Sequence, residues 1–128
     1  MDELKRILYV EDEPDIQAVA RLALEMVGGY TLEVCGSGRE ALEKAPGFAP
    51  QLILLDVMMP GMDGPETLKA MRGMAELAAL PVIFMTAKVQ PSEVAHYKEL
   101  GVADVIPKPF DPMTLPTAIQ SIWERCHG

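Results

Sequence analysis

Five short apolar runs, separated by amphipathic segments, constrain the fold of this chain more than any other feature. The runs have the length of strands, and the segments between them have the three- and four-residue apolar spacing of helices. Such alternation predicts a parallel sheet that is covered by helices on both faces. The predicted strands are residues 7–10, 31–35, 52–55, 81–85 and 104–106.

The intervening segments present apolar faces that should pack onto this sheet. In the first segment Ile16, Val19, Ala20, Ala23 and Val27 are predicted to share one face. The later faces are Ala41 and Leu42 in the second helix, Leu68, Met71 and Met74 in the third, Val94, Tyr97 and Leu100 in the fourth, and Leu115, Ile119, Ile122 and Trp123 in the fifth.

Helix boundaries can be predicted from local chemistry. Ser37 and Ser92 suit N-cap positions, and Gly47 suits a helix end. Proline in a helix interior costs about 3 kcal/mol. We therefore expect the last helix to start near Thr114, so that Pro116 lies in its first turn.

Length and charge restrict the class of protein. The chain has 128 residues, so we expect one domain over residues 1–128 with no room for a second, output domain. Acidic residues outnumber basic ones 19 to 11, and the net charge of −8 argues against direct binding to nucleic acid or to a membrane surface. No transmembrane run, signal peptide or metal-binding cysteine spacing is present, which predicts a cytoplasmic protein.

Polar side chains follow four of the five predicted strands. Glu11 and Asp12 follow the first strand, Asp56 the third, Thr86 the fourth and Lys108 comes shortly after the fifth. Ligands of open parallel sheets bind beyond the carboxyl ends of the strands. The sequence therefore predicts that these residues form one site.

The residue types at this edge suit phosphoryl chemistry. Unit charges ~5 Å apart repel by roughly 3 kcal/mol at an effective dielectric of 20, so three carboxylates there need a compensating cation. Carboxylate oxygens suit Mg²⁺. A carboxylate nucleophile, a divalent cation, the Lys108 ammonium and the Thr86 hydroxyl together are the parts needed to accept a phosphoryl group.

Simpler interpretations exist for each residue alone. Asp12 could be a helix N-cap, and Lys108 could be a solvated loop charge. Residues 36–41 also match the G-x-G-x-x-A dinucleotide pattern. That pattern follows the second strand rather than the first, and it leaves the other strand ends unexplained.

Four segments carry a family resemblance over essentially the whole length. ILYVEDEP, LILLDVMMPGMDG, VIFMTA and KPF resemble, in order and spacing, the receiver domain of two-component response regulators, of which the chemotaxis protein CheY is an example. The resemblance implies a flavodoxin-like (βα)5 fold with strand order 2-1-3-4-5. It also implies a stand-alone phosphorelay receiver that changes its protein contacts when phosphorylated.

The resemblance also implies roles for individual residues. Asp56 would accept the phosphoryl group from a sensor histidine kinase or a histidine phosphotransfer protein. Mg²⁺ would be held by Asp12, Asp56 and the backbone carbonyl of Met58, with Glu11 acting through a water. The receiver would catalyse only its own phosphorylation and dephosphorylation, and its downstream protein target is not identified by the sequence.

The switch region departs from the family pattern. Lys108 and Thr86 would contact the phosphoryl oxygens, and the peptide bond between Lys108 and Pro109 would be cis. The family usually has an aromatic residue three positions before the lysine, where Val105 stands here. This departure affects the expected coupling of phosphorylation to the fourth helix, fifth strand and fifth helix.

Two alternative functions remain open. One is a degenerate receiver that binds a partner without phosphorylation, and Val105 is its only support. The other is a Mg²⁺-dependent phosphatase that uses Asp56 covalently. Phosphatases of that kind favour a second acid two residues after the nucleophile, where this chain has Met58.

Overall fold

A computed structural model describes residues 3–127 of the chain. Within these residues no helix combines the length and the apolar composition needed to cross a membrane. The elements in chain order are β1 (Arg6–Val10), α1 (Pro14–Leu22) continued by a π-helical turn (Ala23–Val27), β2 (Thr31–Cys35), α2 (Gly38–Phe48), β3 (Leu52–Asp56), α3 (Gly64–Arg72), β4 (Val82–Thr86), α4 (Pro91–Glu99), β5 (Asp104–Pro107) and α5 (Leu115–His127).

The five strands form one parallel sheet in the order β2-β1-β3-β4-β5. Tyr9 of β1 is in register with Val34 of β2 on one side and with Leu54 of β3 on the other. The central strands β3 and β4 are buried along their whole length, as their continuous apolar runs predict. The predicted flavodoxin-like (βα)5 fold and its strand order are confirmed.

Two apolar layers lie on the two faces of the sheet. One layer packs α2, α3 and α4 against it, with Ala45, Met71 and Tyr97 among the helical contributors. The other layer packs α1 and α5, with Ala20 and Ile119 among the contributors. The sheet is therefore covered by helices on both sides.

The predicted face of the first helix is only partly right. Ala20 and Ala23 are buried as expected, but Val19 and Val27 are 44% and 50% exposed. Leu24 is fully buried instead. The helix ends in a π-helical turn, in which the N–H of Gly28 donates to the carbonyl of Ala23 five residues earlier. Leu24 lies four residues after the buried Ala20 and continues the same face, while Val27 lies in the last turn of the helix.

The second helix begins as predicted and ends later. The Ser37 hydroxyl accepts the backbone N–H of Glu40, so the predicted N-cap is confirmed. Gly47 lies inside α2 rather than at its end. The helix stops at Ala49, which adopts the left-handed conformation with φ of 54° and takes the terminating role that glycine often has.

The starts of the last two helices show the effect of proline. Ser92 is not an N-cap, because α4 already begins at Pro91 with Gln90 as its cap residue. Proline is favoured at the first helical position, since it lacks only an N–H that would have no helical partner. The helix α5 begins at Leu115 and has Pro116 in its first turn, as predicted.

Candidate functional site

The predicted polar residues meet at the carboxyl edge of the sheet. The ammonium nitrogen of Lys108, which follows β5, lies 2.8 Å from Oε1 of Glu11 and 3.1 Å from Oδ1 of Asp56. Glu11, Asp56 and Thr86 are at most 2% exposed. The structure thus brings an ammonium group between two buried carboxylates, as close hydrogen-bonded ion pairs.

Glu11 is held by several donors besides Lys108. Its Oε1 lies 3.4 Å from the hydroxyl of Tyr9, and its Oε2 accepts the backbone N–H of Glu13 at 3.3 Å. Its backbone carbonyl accepts the side-chain amide of Gln17. Neither Tyr9 nor Gln17 is among the site residues predicted from the sequence. Tyr9 looked like a core residue of β1, and its spacing of two residues from Glu11 was the signal that both share one face.

The three acidic residues are arranged so that they could hold a cation. One carboxylate oxygen each from Glu11, Asp12 and Asp56 all lie within 4.8 Å of one another. Oδ1 of Asp12 is buried and has no hydrogen-bond partner among the described residues. A buried carboxylate oxygen without a donor is costly unless a cation or water satisfies it. These residues therefore fit Mg²⁺, which prefers oxygen ligands.

The crowding changes the protonation of the site. Burial, and then the negative charge of Glu11, raise the pKa of Asp56 to about 6, although Lys108 acts in the opposite direction. Burial alone would lower the pKa of Lys108, but its hydrogen bonds to Glu11 and Asp56 outweigh burial and raise it. Burial and the nearby Glu11 also raise the pKa of Tyr9, which keeps its phenol protonated. Three carboxylates and one ammonium thus leave an excess of negative charge in a largely buried site, which a bound cation would offset.

Thr86 ends β4 at the same edge. Its hydroxyl accepts the backbone N–H of Lys88 at 3.1 Å, and its carbonyl accepts the backbone N–H of Lys108 at 3.0 Å. A cleft of about 200 Å³ opens above Asp56 and is also lined by Thr86, Met58 and Lys108. The Met58 side chain is 63% exposed at its mouth. The hydroxyl and the ammonium therefore both border the space in front of the Asp56 carboxylate.

The loop after β3 depends on a glycine that the sequence argument did not single out. The N–H of Gly64 donates to the carbonyl of Val57 at 2.9 Å. A Cβ atom at Gly64 would lie 2.8 Å from Cα of Val57 and 2.9 Å from the backbone oxygen of Asp56. Since both neighbours are backbone atoms, only glycine allows this close approach. The loop is thereby held against the residue that carries the central carboxylate.

The region around Val105 and Lys108, where the family resemblance implies a switch, is packed against the core. The peptide bond between Lys108 and Pro109 is cis. Val105 is partly buried against the core layer that contains Phe84 and Tyr97. The rings of Phe84 and Tyr97 meet edge to face, with centroids 5.4 Å apart. Tyr97 of α4 thus packs its ring on Phe84 of β4 in this layer, whereas the neighbouring residue of β5, Val105, is not aromatic.

Comparisons with known proteins agree with this geometry. Curated relatives include the alkaline phosphatase synthesis transcriptional regulatory protein PhoP of Bacillus subtilis, 36% identical over 94% of this chain and 49% of its own length. The CpxR homolog of Haemophilus influenzae, also named a transcriptional regulatory protein, is 34% identical over 95% of this chain and 52% of its length. The chain spans about half the length of these relatives.

Solved structures resemble the chain over nearly its whole length. The chemotaxis protein CheY4 of Vibrio cholerae is 32% identical and superimposes with a TM-score of 0.86 over 94% of this chain and 99% of its own. The receiver domain of a histidine kinase from Syntrophus aciditrophicus is 33% identical, with a TM-score of 0.80 over 94% and 91% of the two chains. The family profile described as response regulator receiver domain matches residues 7–120, and the chain belongs to that family.

Proposed function

We propose that this receiver accepts a phosphoryl group on Asp56 from a phosphohistidine of a sensor histidine kinase or a histidine phosphotransfer protein. The observation that carries the proposal is the placement of the Asp56 carboxylate, 2% exposed at the base of a cleft and 3.1 Å from the Lys108 ammonium. Membership of the receiver family supports the same chemistry.

The transfer is a substitution at phosphorus. A carboxylate oxygen of Asp56 forms a bond to the phosphorus atom, and the bond between phosphorus and the donor imidazole nitrogen breaks. The bonding electron pair stays with the imidazole, and Asp56 becomes an acyl phosphate. Hydrolysis of that acyl phosphate returns the carboxylate and releases inorganic phosphate, so the chain acts only on its own phosphorylated state.

Asp12 and Asp56 are the side chains that would hold Mg²⁺, with the backbone carbonyl of Met58 as a further oxygen ligand and Glu11 acting through a water. The buried, unpartnered Oδ1 of Asp12 supports this assignment. When bound, the ion supplies positive charge that offsets the carboxylates and the phosphoryl oxygens. Lys108 supplies a second, fixed positive charge, and the Thr86 hydroxyl can donate to a phosphoryl oxygen once it turns toward the cleft.

A protein donor suits the surroundings of the site. An apolar groove of about 470 Å³ lies beside Lys108 and is lined by Ile16, Val19, Ala87 and Phe110. Exposed apolar patches often mark sites of contact with other proteins, whereas a small phosphate ester would gain little from such a surface. A phosphoryl group on Asp56 would add negative charge that Lys108 must neutralise, and Lys108 also lines this groove. We infer that phosphorylation therefore changes the protein contacts of this domain.

The test is the intact mass of the protein after incubation with acetyl phosphate, with and without Mg²⁺. We expect a Mg²⁺-dependent gain of one phosphoryl group in the wild-type protein and none in Asp56→Asn. A folded protein that gains no phosphoryl group and binds no beryllofluoride would instead be a phosphorylation-independent binding module. Turnover of a small phosphate ester would favour the phosphatase.

A further inference from the structure

A buried tyrosine lies directly beneath the site. Tyr9 is 0% exposed, and its ring packs in the core layer shared by α1 and α5. Its hydroxyl donates to Oε1 of Glu11 at 3.4 Å. The same oxygen accepts the ammonium of Lys108 at 2.8 Å, and that ammonium reaches Asp56 at 3.1 Å. A continuous chain of polar contacts therefore runs from the phenol in the core to the carboxylate at the base of the cleft.

The contact matters because Glu11 is a fully buried carboxylate. Such a group needs donors from several directions, and its orientation is set by where those donors lie. The Tyr9 hydroxyl reaches it from the core, and the N–H of Glu13 reaches it from the loop. The Lys108 ammonium reaches it from the segment after β5, at the end of a long side chain with several rotatable bonds. With the core donor removed, the carboxylate and the ammonium can both reorient.

We propose that Tyr9 is a positioning residue, whose buried hydroxyl holds the Glu11 carboxylate in the orientation that keeps the Lys108 ammonium beside Asp56. This inference rests on the proposed phosphorylation of Asp56. Tyr9 does not contact the reacting atoms and acts through Glu11. Phenylalanine would fill the same space in the core layer but would supply no donor to the site.

The first test compares the initial rate of phosphorylation of Tyr9→Phe with that of the wild-type protein, at equal concentrations of acetyl phosphate and Mg²⁺. We expect the rate to fall about two- to threefold, the low end of what one buried hydrogen bond contributes, because an O–H···O contact of 3.4 Å is longer than usual. The matched control is Tyr30→Phe, which removes a hydroxyl that donates to Gln120 at 3.0 Å, beside the start of β2 at the opposite edge of the sheet. The control should keep the wild-type rate.

The second test reads the site without any phosphorylation. In the metal-free protein, we expect the NMR resonances of the Glu11 carboxyl carbon and the Lys108 ammonium nitrogen to shift in Tyr9→Phe and to stay unchanged in Tyr30→Phe. A merely structural role in the core would leave these two resonances in place. If Tyr9→Phe does not fold, a wild-type Tyr9 hydroxyl proton shifted downfield of a phenol without a hydrogen bond is the expected signature of the contact with the carboxylate, and an unshifted one would contradict it.

The outcomes separate this inference from the proposed function. A wild-type protein that gains no phosphoryl group overturns the proposed function. A wild-type protein that is phosphorylated, together with a Tyr9→Phe variant that has the same rate and the same two resonances, overturns only the positioning role of Tyr9. A loss of equal size in Tyr30→Phe would also overturn it, because that hydroxyl has no contact with Glu11.

Discussion

Replacing Asp56, the proposed phosphoryl acceptor, by its uncharged amide should stabilise the metal-free protein. Burial and the negative charge of Glu11 raise the pKa of Asp56 from its ordinary value of 3.8 to about 6. Each pH unit of such a rise corresponds to 1.36 kcal/mol, so the ionised carboxylate costs the folded state about 3 kcal/mol at neutral pH. Asparagine at this position keeps an oxygen that can accept from Lys108 and carries no charge. Asp56→Asn should therefore raise the free energy of unfolding by up to this amount.

The pH dependence of this difference has a definite sign. Between pH 4 and pH 6 the folded protein binds a proton at Asp56 more readily than the unfolded chain does. The free energy of unfolding of the wild-type protein consequently falls as the pH rises through this window. The advantage of Asp56→Asn should be largest above about pH 6 and should disappear below about pH 4.

Urea unfolding in EDTA, followed by the fluorescence of the buried Trp123, measures this difference. With slopes of about 1–3 kcal/mol/M, a 3 kcal/mol gain moves the midpoint upward by about 1–3 M at pH 7.5. The control is Glu43→Gln, which removes one exposed charge from α2 and should change stability by less than about 0.5 kcal/mol. An Asp56→Asn variant that is no more stable than wild type at pH 7.5 would refute this reasoning.

Further predictions test the cation site, the glycine contact and the helix cap. At about 100 times its Kd, Mg²⁺ should raise the free energy of unfolding by about 2.7 kcal/mol, and Asp12→Asn should lose most of that gain in a thermal or urea titration. Gly64→Ala should cost about 1–3 kcal/mol in urea unfolding and slow phosphorylation, because its Cβ would press on backbone atoms of Val57 and Asp56; unchanged stability would contradict the close approach. Ser37→Ala should cost about 1 kcal/mol in urea unfolding without changing the phosphorylation rate, since it removes only the N-cap of α2.

The fold could be predicted from the sequence because its strongest signals are local. The run at residues 52–55 is continuous and apolar, and the strand that contains it is buried on both faces. Proline lacks a backbone N–H, so it is tolerated in the first turn of a helix but not in its interior. This rule correctly predicts the start of α5, which has Pro116 as its second residue. The π-helical turn after α1 could not be predicted in this way. Its hydrogen bond runs to the carbonyl of the fifth residue back, and no residue type marks such a turn.

The sequence indicates where the site lies but not every residue that shapes it. Glu11, Asp56 and Lys108 each follow a predicted strand, and parallel strands bring their carboxyl ends to one edge. The role inferred for Tyr9 depends on where its hydroxyl points, which is set by tertiary packing rather than by its place in an apolar run. The need for glycine at position 64 likewise appears only when the loop is seen against the backbone of Val57.

Chemical mapping can decide whether Asp56, rather than another carboxylate, receives the phosphoryl group. Hydroxylamine converts an acyl phosphate to a hydroxamate, and tryptic cleavage after Lys44 and Lys69 places Asp56 and Asp63 in one peptide. After reaction with acetyl phosphate and Mg²⁺, fragmentation of that peptide should locate the hydroxamate at Asp56 and leave Asp63 unmodified as an internal control. A hydroxamate at Asp63, or at Asp12 or Glu11 in another peptide, would contradict the assignment of Asp56 as the phosphoryl acceptor.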